Sequence, residues 1–322
     1  MRIKIAALAL AFAAVLGSGC KKTTTTVTTP SLGGLWMKEQ PKFVQYGEDQ
    51  EFHVYIDDMY VSDNSDPGKL GIYWLVTGFA RDTTTRDAEK DNPSYYFKPV
   101  SQGTYTVTAN VFALNGKYYN ATASVTFQAI DPDTAMDGLV GTTEMIDFGD
   151  YEQEMHTATI GAHTWMTQNL STEEAVGRAY QHCEVVSDLF GRFYTWEEAQ
   201  EICPDGWRLP TAQEFDEDLG EVAGDLMVKA RFLGEQMWPY WPDVNITNET
   251  LFNAIPVGYM DLATSVEAYG YKEYAAWWTS DTIKEGEDNL GVYRYIYCED
   301  PEIKKGKGSK QSLALSVRCV KE

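Results

Sequence analysis

The chain has few basic residues. Its 322 residues include 26 lysines and arginines against 48 aspartates and glutamates, which gives a formal net charge of −22. Proteins that bind nucleic acid use lysine and arginine to neutralise phosphates, so this balance excludes nucleic acid as a partner. It also disfavours electrostatic docking on anionic lipid. We interpret the acidity as a solubilising charge suited to a crowded surface.

The chain is also poor in the residues and motifs that carry out chemistry. Its four histidines and five cysteines include no Cys-x-x-Cys and no paired-histidine spacing, which argues against zinc. There is no G-x-S-x-G, no glycine-rich phosphate loop and no H-E-x-x-H. Adjacent acids such as Glu197 and Glu198 do not face each other across a substrate, as glycosidase acids do. We therefore expect no catalytic residues and no cofactor.

One acidic segment leaves calcium open as an alternative. Carboxylate and amide oxygens are the ligands that Ca²⁺ binds. Four neighbouring side chains could supply them: Glu285, Glu287, Asp288 and Asn289. The simpler interpretation is a solvated acidic loop that binds no metal.

No apolar run is long enough to span a bilayer. Residues 1–20 have a basic start, an apolar run from Ile5 to Leu16, and small residues before Cys20. A run of this length is typical of a signal peptide. The segment resembles a bacterial lipoprotein signal peptide, although Gly17 stands where leucine is usual. The resemblance implies a lipid on Cys20 and a membrane-anchored chain, with an ordinary secretory peptide as the alternative.

An exported chain implies a setting in which disulfides persist. We expect localisation in the bacterial cell envelope, with the chain lipid-anchored at the outer membrane or cell surface. Residues 21–34 are rich in threonine and low in complexity, so we expect a flexible tether there.

Residues 35–130 predict an all-β sandwich. Short runs of alternating β-branched and aromatic residues are separated by turn signals, and Asn115-Gly116 between two such runs predicts a hairpin. The expected strands are residues 51–56, 71–76, 94–100, 103–113 and 121–127. Trp74 is expected in the core. The pattern resembles PKD-type and immunoglobulin-like bacterial surface modules. Residues 131–141 are expected to link this domain to a second one at 142–322.

The second domain is built around a helical corner. Thr195 with Glu198, and Thr211 with Glu214, have the spacing of two capping boxes. They predict one helix over residues 195–202 and another that begins at 210–211. Pro204-Asp205-Gly206 predicts a tight turn between them.

Strand-like runs after the corner predict a small antiparallel sheet. Tyrosines alternate along the strand before Cys298, so their side chains share one face, which is a binding platform if exposed and core if buried. The connection at residues 299–311 holds four lysines and is expected to be a basic loop. The candidate ligand-binding residues are Tyr293, Tyr295, Tyr297, Trp277, Trp278, Lys304 and Lys305.

Five ordered segments carry a family resemblance: residues 157–170, 191–215, 253–261, 275–281 and 315–321. Together they resemble the Fibrobacter succinogenes major paralogous (FISUMP) domain, of the C-type-lectin-like superfold. The resemblance implies an α+β lectin-like domain after the N-terminal sandwich, in a cell-surface setting. It implies no particular ligand. We expect the domain to bind a glycan or protein ligand in recognition or adhesion, with a purely structural envelope component as one alternative.

Four cysteines remain beside Cys20, and four cysteines allow three connectivities. In the lectin-like fold a cysteine at a helix end commonly bridges to the final strand. The resemblance thus implies a Cys203–Cys319 disulfide and leaves Cys183 with Cys298.

An enzyme is the other alternative. Residues 206–212 (GWRLPTA) resemble a helical segment of formylglycine-generating enzymes, which share the superfold. Their catalysis needs two reactive cysteines and flanking motifs that this sequence lacks. Free thiols at Cys183 and Cys298 would favour this alternative.

Overall fold

The computed structural model describes residues 28–56, 59–78, 83–88, 94–172, 176–265 and 267–322. The expected signal segment with Cys20, and most of the expected tether, lie outside the described residues. Within the described ranges, no helix is long and apolar enough to cross a membrane. Strands make up most of the regular structure.

In the described residues of the N-terminal part, all the regular structure consists of β-strands. They are β1 (Leu32–Gly33), β2 (Trp36–Met37), β3 (Phe43–Gln45), β4 (Gln50–Tyr55), β5 (Tyr60–Val61), β6 (Leu70–Gly78), β7 (Thr83–Ala88), β8 (Ser94–Phe97), β9 (Gly103–Ala113) and β10 (Ala121–Ile130). A five-stranded sheet in the order β3-β10-β9-β6-β7 packs against a three-stranded sheet in the order β2-β4-β8. The five predicted strands are confirmed, and Trp74 is buried between the sheets. Gly116, with φ +65°, makes the turn of the predicted hairpin between β9 and β10.

The C-terminal part contains short helices among many strands. The helices are α1 (Pro132–Ala135), α2 (Ser187–Phe190), α3 (Trp196–Ala199), α4 (Ala212–Leu219) and α5 (Ala223–Leu226), with 3₁₀ turns at Tyr180–His182 and Glu184–Val186. The strands are β11 (Met136–Asp137), β12 (Thr142–Asp147), β13 (Glu152–Ile160), β14 (His163–Met166), β15 (Arg178–Ala179), β16 (Arg192–Thr195), β17 (Trp207–Arg208), β18 (Arg231–Phe232), β19 (Glu235–Gln236), β20 (Tyr259–Asp261), β21 (Ala268–Tyr269), β22 (Tyr274–Glu285), β23 (Asp288–Tyr297), β24 (Lys304–Gly308), β25 (Leu313–Leu315) and β26 (Val320–Lys321).

The strands after the corner do not form the single small sheet that their order predicts. They divide among three sheets, in the orders β12-β13-β14-β26-β17, β15-β16-β25-β20-β21 and β22-β23-β24. The predicted basic loop is also wrong, because β24 lies within it and pairs with β23 along five residues. Alternating glycines and lysines hid this strand, since glycine and lysine are depleted in strands.

The helical corner is confirmed, although its first helix is shorter than predicted. Thr195 and Thr211 each accept a hydrogen bond from the backbone N–H three residues on, and the N–H of each cap residue donates in turn to the carboxylate of Glu198 or Glu214. The turn between the helices closes through the N–H of Trp207, which donates to the carbonyl of Pro204 at 2.9 Å. Each capping box satisfies two backbone donors that the helix itself leaves unpaired.

Arg208 couples this corner to pH. Its guanidinium donates two hydrogen bonds to Glu214, at 2.8 and 2.6 Å, and these, with the cap hydrogen bonds from Thr211, lower the pKa of Glu214 from 4.5 to about 2. A depressed carboxyl pKa contributes stability that is present above the unfolded value and is lost as pH falls through the folded value. This contribution should therefore disappear between pH 4.5 and 2.

Replacing Glu214 with glutamine should flatten the acid dependence of stability. Glutamine keeps the capping geometry but carries no titrating charge, so the variant should lose less stability than the wild type between pH 4.5 and 2. The measurement is the urea midpoint at a series of pH values. Glu217→Gln on the exposed face of α4 is the control, and equal slopes for all three proteins would contradict the prediction.

The two parts of the chain share a hydrophobic cluster. Phe43 of β3 and Ile130 of β10 are buried together with Phe190, Phe232 and other residues of the C-terminal part. Residues 131–141, predicted as a linker, form α1 and β11, and β11 pairs with β18. The N-terminal part is thus packed directly on the C-terminal part.

Candidate ligand-binding site

The alternating tyrosines of β23 do share one face of the sheet. Opposite residues of an antiparallel pair point to the same side, and β22 places Tyr274 opposite Tyr297 and Ala276 opposite Tyr295. Tyr293, Tyr295 and Tyr297 are half-buried. The face is therefore neither fully exposed nor fully core, because a second sheet covers part of it.

That second sheet supplies β20 and β25. Met260 pairs with Ala314, and both are buried on the far side. Tyr259 and Leu313 point the opposite way, toward the tyrosines of β23. The two sheets enclose a pocket of about 250 Å³. Its lining consists of Tyr259, Tyr274, Ala276, Tyr293, Tyr295, Leu313 and Leu315.

The rings of the pocket form a continuous aromatic wall. Tyr274 lies at the centre, with its ring centroid 5.9 Å from Tyr259 and 6.0 Å from Tyr295. Tyr293 lies 5.9 Å from Tyr295, and Tyr297 stacks on Tyr274 at 4.8 Å. Aromatic contacts in this range are favourable beyond their buried area, so each ring holds its neighbour in place.

The hydroxyls of this wall are open to solvent. Those of Tyr259, Tyr274, Tyr293 and Tyr295 make no hydrogen bond to any residue in the described part of the chain, and none of them is a buried polar group without a partner. Burial raises the pKa of Tyr274 and of Tyr293, so both are neutral phenols that can donate and accept. The pocket thus offers unused hydrogen-bonding groups beside apolar ring faces, the usual composition of a small-molecule site.

Glycines of β24 make room for the wall. Gly306 pairs with Tyr293, and a Cβ at Gly306 would lie 2.2 Å from the Tyr293 ring. Gly308 likewise allows Leu313 to lie across the strand, at 2.4 Å from such a Cβ. A side chain at either position would displace a pocket residue. The glycines that made β24 look like a loop in the sequence therefore leave the space that Tyr293 and Leu313 occupy.

Trp277 and Trp278 are core residues, and their assignment as ligand contacts is wrong. They are 1% and 0% exposed. The indole N–H of Trp277 donates to Asn169 and that of Trp278 to the carbonyl of Tyr194. Buried tryptophans with satisfied N–H groups are anchors of packing. The pair faces opposite sides of β22 and joins two core clusters.

Lys304 and Lys305 are engaged in ion pairs, so the expected free basic patch is not formed. Lys304 lies 3.0 Å from both Asp300 and Glu302, and Lys305 lies 2.7 Å from Asp216. The strand conformation of β24 places these lysines beside acids that the chain supplies. Their charges are thus largely neutralised within the protein.

Of the two predicted disulfides, one is confirmed and the other is wrong. Cys203 and Cys319 are bonded, whereas Cys183 and Cys298 are free and buried. They lie in different hydrophobic clusters, and burial raises the pKa of each thiol. The Cys183 thiol instead accepts a hydrogen bond from the N–H of Phe43 and donates one to the carbonyl of Gln181.

The candidate calcium oxygens lie at the hairpin between β22 and β23. Glu285 is 2.8 Å from Lys307, which partly neutralises it. Over the ranges that the structure describes, no group of three or more acidic, histidine or cysteine side chains is placed to hold a metal ion. Calcium at this hairpin stays a prediction without a supporting cluster.

Sequence reasoning missed Tyr259, Tyr274 and Leu313. One signal was available for Tyr274, because pairing the runs at residues 274–285 and 288–297 as a hairpin places it opposite Tyr297. No local signal was available for Tyr259 and Leu313. They reach the pocket only through the packing of a separate sheet.

Comparison with known proteins identifies the C-terminal part. The family described as the Fibrobacter succinogenes major domain matches residues 158–321. No curated protein matches the chain. Two solved structures of a CARDB domain from Pyrococcus furiosus are similar to part of it. The solution NMR structure shows 18% identity and a TM-score of 0.21 over 31% of this chain and 95% of that one. The crystal structure, whose title names di-metal ions, shows 19% and 0.20 over 33% and 97%.

Proposed function

Since this chain belongs to the Fibrobacter succinogenes major domain family, we propose that it is a lipid-anchored protein of the bacterial cell surface that binds a glycan or protein ligand. The ligand is held in the tyrosine-lined pocket of its C-terminal domain, for which we propose a C-type-lectin-like fold. The N-terminal sandwich, proposed as PKD- or immunoglobulin-like, spaces that domain from the membrane. Cys20 carries the lipid.

The unpartnered hydroxyls carry this proposal. None of the four hydroxyls is a buried group without a partner, so each remains open to water and available to a ligand that enters the pocket. A purely structural wall would be as well served by phenylalanine, which packs alike and offers no hydrogen-bonding group. A ligand with donors and acceptors can replace the water at these hydroxyls.

The size of the pocket limits what enters it. Its volume of about 250 Å³ lies just below the range of roughly 300–1,000 Å³ of small-molecule sites. It accommodates one sugar ring of a glycan or one side chain of a protein ligand. Apolar ring faces with hydroxyl groups at their edges suit either, and the remainder of such a ligand lies outside the pocket.

Removing hydroxyls while keeping rings tests the site. The double variant Tyr274→Phe, Tyr295→Phe should bind ligand about tenfold or more weakly, since each lost hydrogen bond is worth about 1 kcal/mol. Its melting temperature should not fall, because neither hydroxyl bonds to another residue that the structure describes. The measurement is binding of labelled protein to a glycan array, with calorimetric unfolding in parallel.

Tyr240→Phe is the matched control, because Tyr240 is 84% exposed on a loop outside the pocket. It should bind as the wild type does. Glycan binding that the double variant retains would place the ligand elsewhere. An array without any glycan signal, followed by capture of a protein ligand that the double variant loses, would assign the pocket to a protein. If neither a glycan nor a protein ligand binds, the result would favour a structural envelope component.

The enzyme alternative gains little from the geometry. The thiols of Cys183 and Cys298 are free, as that alternative requires, yet both are buried in separate clusters. A reactive cysteine is a thiolate in a partly exposed, electropositive setting, whereas burial raises the pKa of both thiols. Binding is therefore the function that the site supports best.

A further inference from the structure

A larger cleft lies where the two parts of the chain meet. It encloses about 750 Å³ and lies against the outer face of β4, with the turn at Gln181 and His182 on its other side. The shared hydrophobic cluster beneath it contains Phe43 and Tyr180, which directly neighbour the two walls in sequence. The cleft is thus a fixed feature of the junction between the domains.

Aromatic rings lie along the wall of the cleft on the N-terminal side. Tyr55 lines the cleft, and Trp36 stacks on it with ring centroids 3.8 Å apart and planes 12° apart. His53 contacts the same tyrosine edge-on at 4.5 Å. Trp36 lies beside the cleft, opposite Tyr55 on the neighbouring strand, and is 46% exposed, so it extends the aromatic surface at the rim. Exposed aromatic surface that the fold does not need is a sign of recognition.

The opposite wall is held in an unfavourable backbone conformation. Gln181 and His182 are consecutive non-glycine residues with φ of +48° and +59°. The left-handed region costs an ordinary residue about 1–2 kcal/mol, and such residues cluster at functional sites. Both side chains line the cleft. The strain keeps an amide and an imidazole directed at the aromatic wall.

Cys183 explains how the strained turn is held. Its thiol donates to the carbonyl of Gln181 at 3.3 Å and accepts from the N–H of Phe43 at 3.4 Å. One free thiol therefore connects the strained turn to a strand of the other domain. This is a positioning role, and it gives a reason why Cys183 is free and not in a disulfide.

The charges of the cleft favour a neutral ligand. Two lysines and three glutamates line it, so neither sign dominates. These groups supply donors and acceptors at the edges of an aromatic floor. A chain of neutral sugars has the matching chemistry, with C–H faces for the rings and hydroxyls for the polar rim.

We propose that this interdomain cleft is a second binding site, which takes a neutral saccharide chain. His53 and Tyr55 contact the saccharide within the cleft, and the free face of Trp36 stacks on a sugar ring at the rim. Gln181 and His182 bond to hydroxyls from the opposite side. The site is separate from the tyrosine-lined pocket and does not depend on it. Two sites on one rigid chain hold a polysaccharide more tightly than either alone, provided both can be reached at once.

The test is binding of defined neutral hexasaccharides of glucose, xylose, mannose and N-acetylglucosamine. The full-length chain is purified in a detergent without a sugar headgroup, and affinity is measured by calorimetry and tryptophan fluorescence. Trp36→Ala should weaken binding about tenfold or more. His182→Gly should weaken it as well while the melting temperature stays or rises, because glycine adopts positive φ without strain. If His182 had only a structural role, the affinity would not fall while the melting temperature stays or rises.

Tyr240→Ala, which removes an exposed aromatic outside the cleft, should leave the affinity unchanged. Both cleft variants are also made in the Tyr274→Phe, Tyr295→Phe background, in which binding at the pocket is weakened, so failure of the pocket proposal and failure of this one are distinguishable. Absence of binding to every neutral hexasaccharide at millimolar concentration would overturn the proposal. Binding that survives both cleft variants in the pocket-weakened background would overturn it too, as would binding of acidic oligosaccharides alone.

Discussion

Replacing Arg318 with methionine should lower the free energy of unfolding by about 3–5 kcal/mol. Arg318 is 1% exposed, and it donates to the side-chain oxygen of Asn169 and to the carbonyls of Phe252 and Asn253. Methionine fills similar space but leaves the carbonyls of Phe252 and Asn253 buried without this donor, while the Asn169 oxygen keeps only the indole N–H of Trp277. Each such acceptor carries a desolvation cost that an apolar side chain cannot offset.

The charge of Arg318 is stabilised without a carboxylate. No ion pair with it occurs in the part of the chain that the structure describes. Its guanidinium lies 4.2 Å from the centroid of the Phe252 ring and 5.3 Å from that of Trp277, and cation–π attraction is strongest where water is excluded. Burial lowers the pKa of Arg318, but the oxygens and ring faces favour the cation. Lysine cannot replace it, because one ammonium does not reach the same three acceptors.

Urea unfolding followed by tryptophan fluorescence measures this effect. Arg231→Met is the control, because Arg231 lies exposed on β18 and surface changes stay within about 0.5 kcal/mol. Arg318→Lys should be destabilised nearly as much as Arg318→Met. A methionine variant with the wild-type midpoint would show that the buried network contributes no net stability.

Reduction of the Cys203–Cys319 disulfide should lower stability by about 4–5 kcal/mol. The two cysteines are separated by 116 residues, and a cross-link over a long loop removes much conformational entropy from the unfolded chain. Cys319 is fully buried and the bridge joins the helical corner to the last strand. The corner would otherwise be held by packing and by the short pairing of β17 with β26.

The measurement is the urea midpoint with and without dithiothreitol. In the Cys20→Ser variant, denatured without reductant, a thiol reagent should titrate two groups, Cys183 and Cys298. Cys298→Ser is the control, and reductant should destabilise it as much as the wild type. A midpoint that reductant does not shift, or a titration of no thiols, would contradict the disulfide assignment.

The features that the sequence predicted correctly depend on neighbours along the chain. The capping boxes of Thr195 and Thr211 depend on a residue three positions on, and the turn at Gly206 on its own conformational freedom. The strands of the sandwich depend on alternation over a few residues. The family was also readable, because five ordered segments together identify it. These are local signals, so no tertiary contact was needed to interpret them.

The tyrosine pocket was only half readable. Alternation placed Tyr293 and Tyr295 on one face, but whether that face was open depended on β20 and β25, which belong to another sheet. Trp277 and Lys305 looked like ligand contacts for the same reason. A tryptophan or lysine has the same local pattern whether it is exposed, buried or paired, and only Asn169 and Asp216, over 80 residues away, decide the outcome.

The cysteines and the cleft show the same limit. Family resemblance supplied the Cys203–Cys319 pair, whereas the placement of Cys183 against Phe43 rests on the docking of the two domains. The strain at Gln181 and His182 leaves no mark in composition or periodicity. Helix caps, turns and strand alternation follow from short-range sterics and hydrogen bonding, so the sequence alone determined them. Burial, pairing and pocket formation depend on which distant surfaces meet, and the tertiary structure decided those.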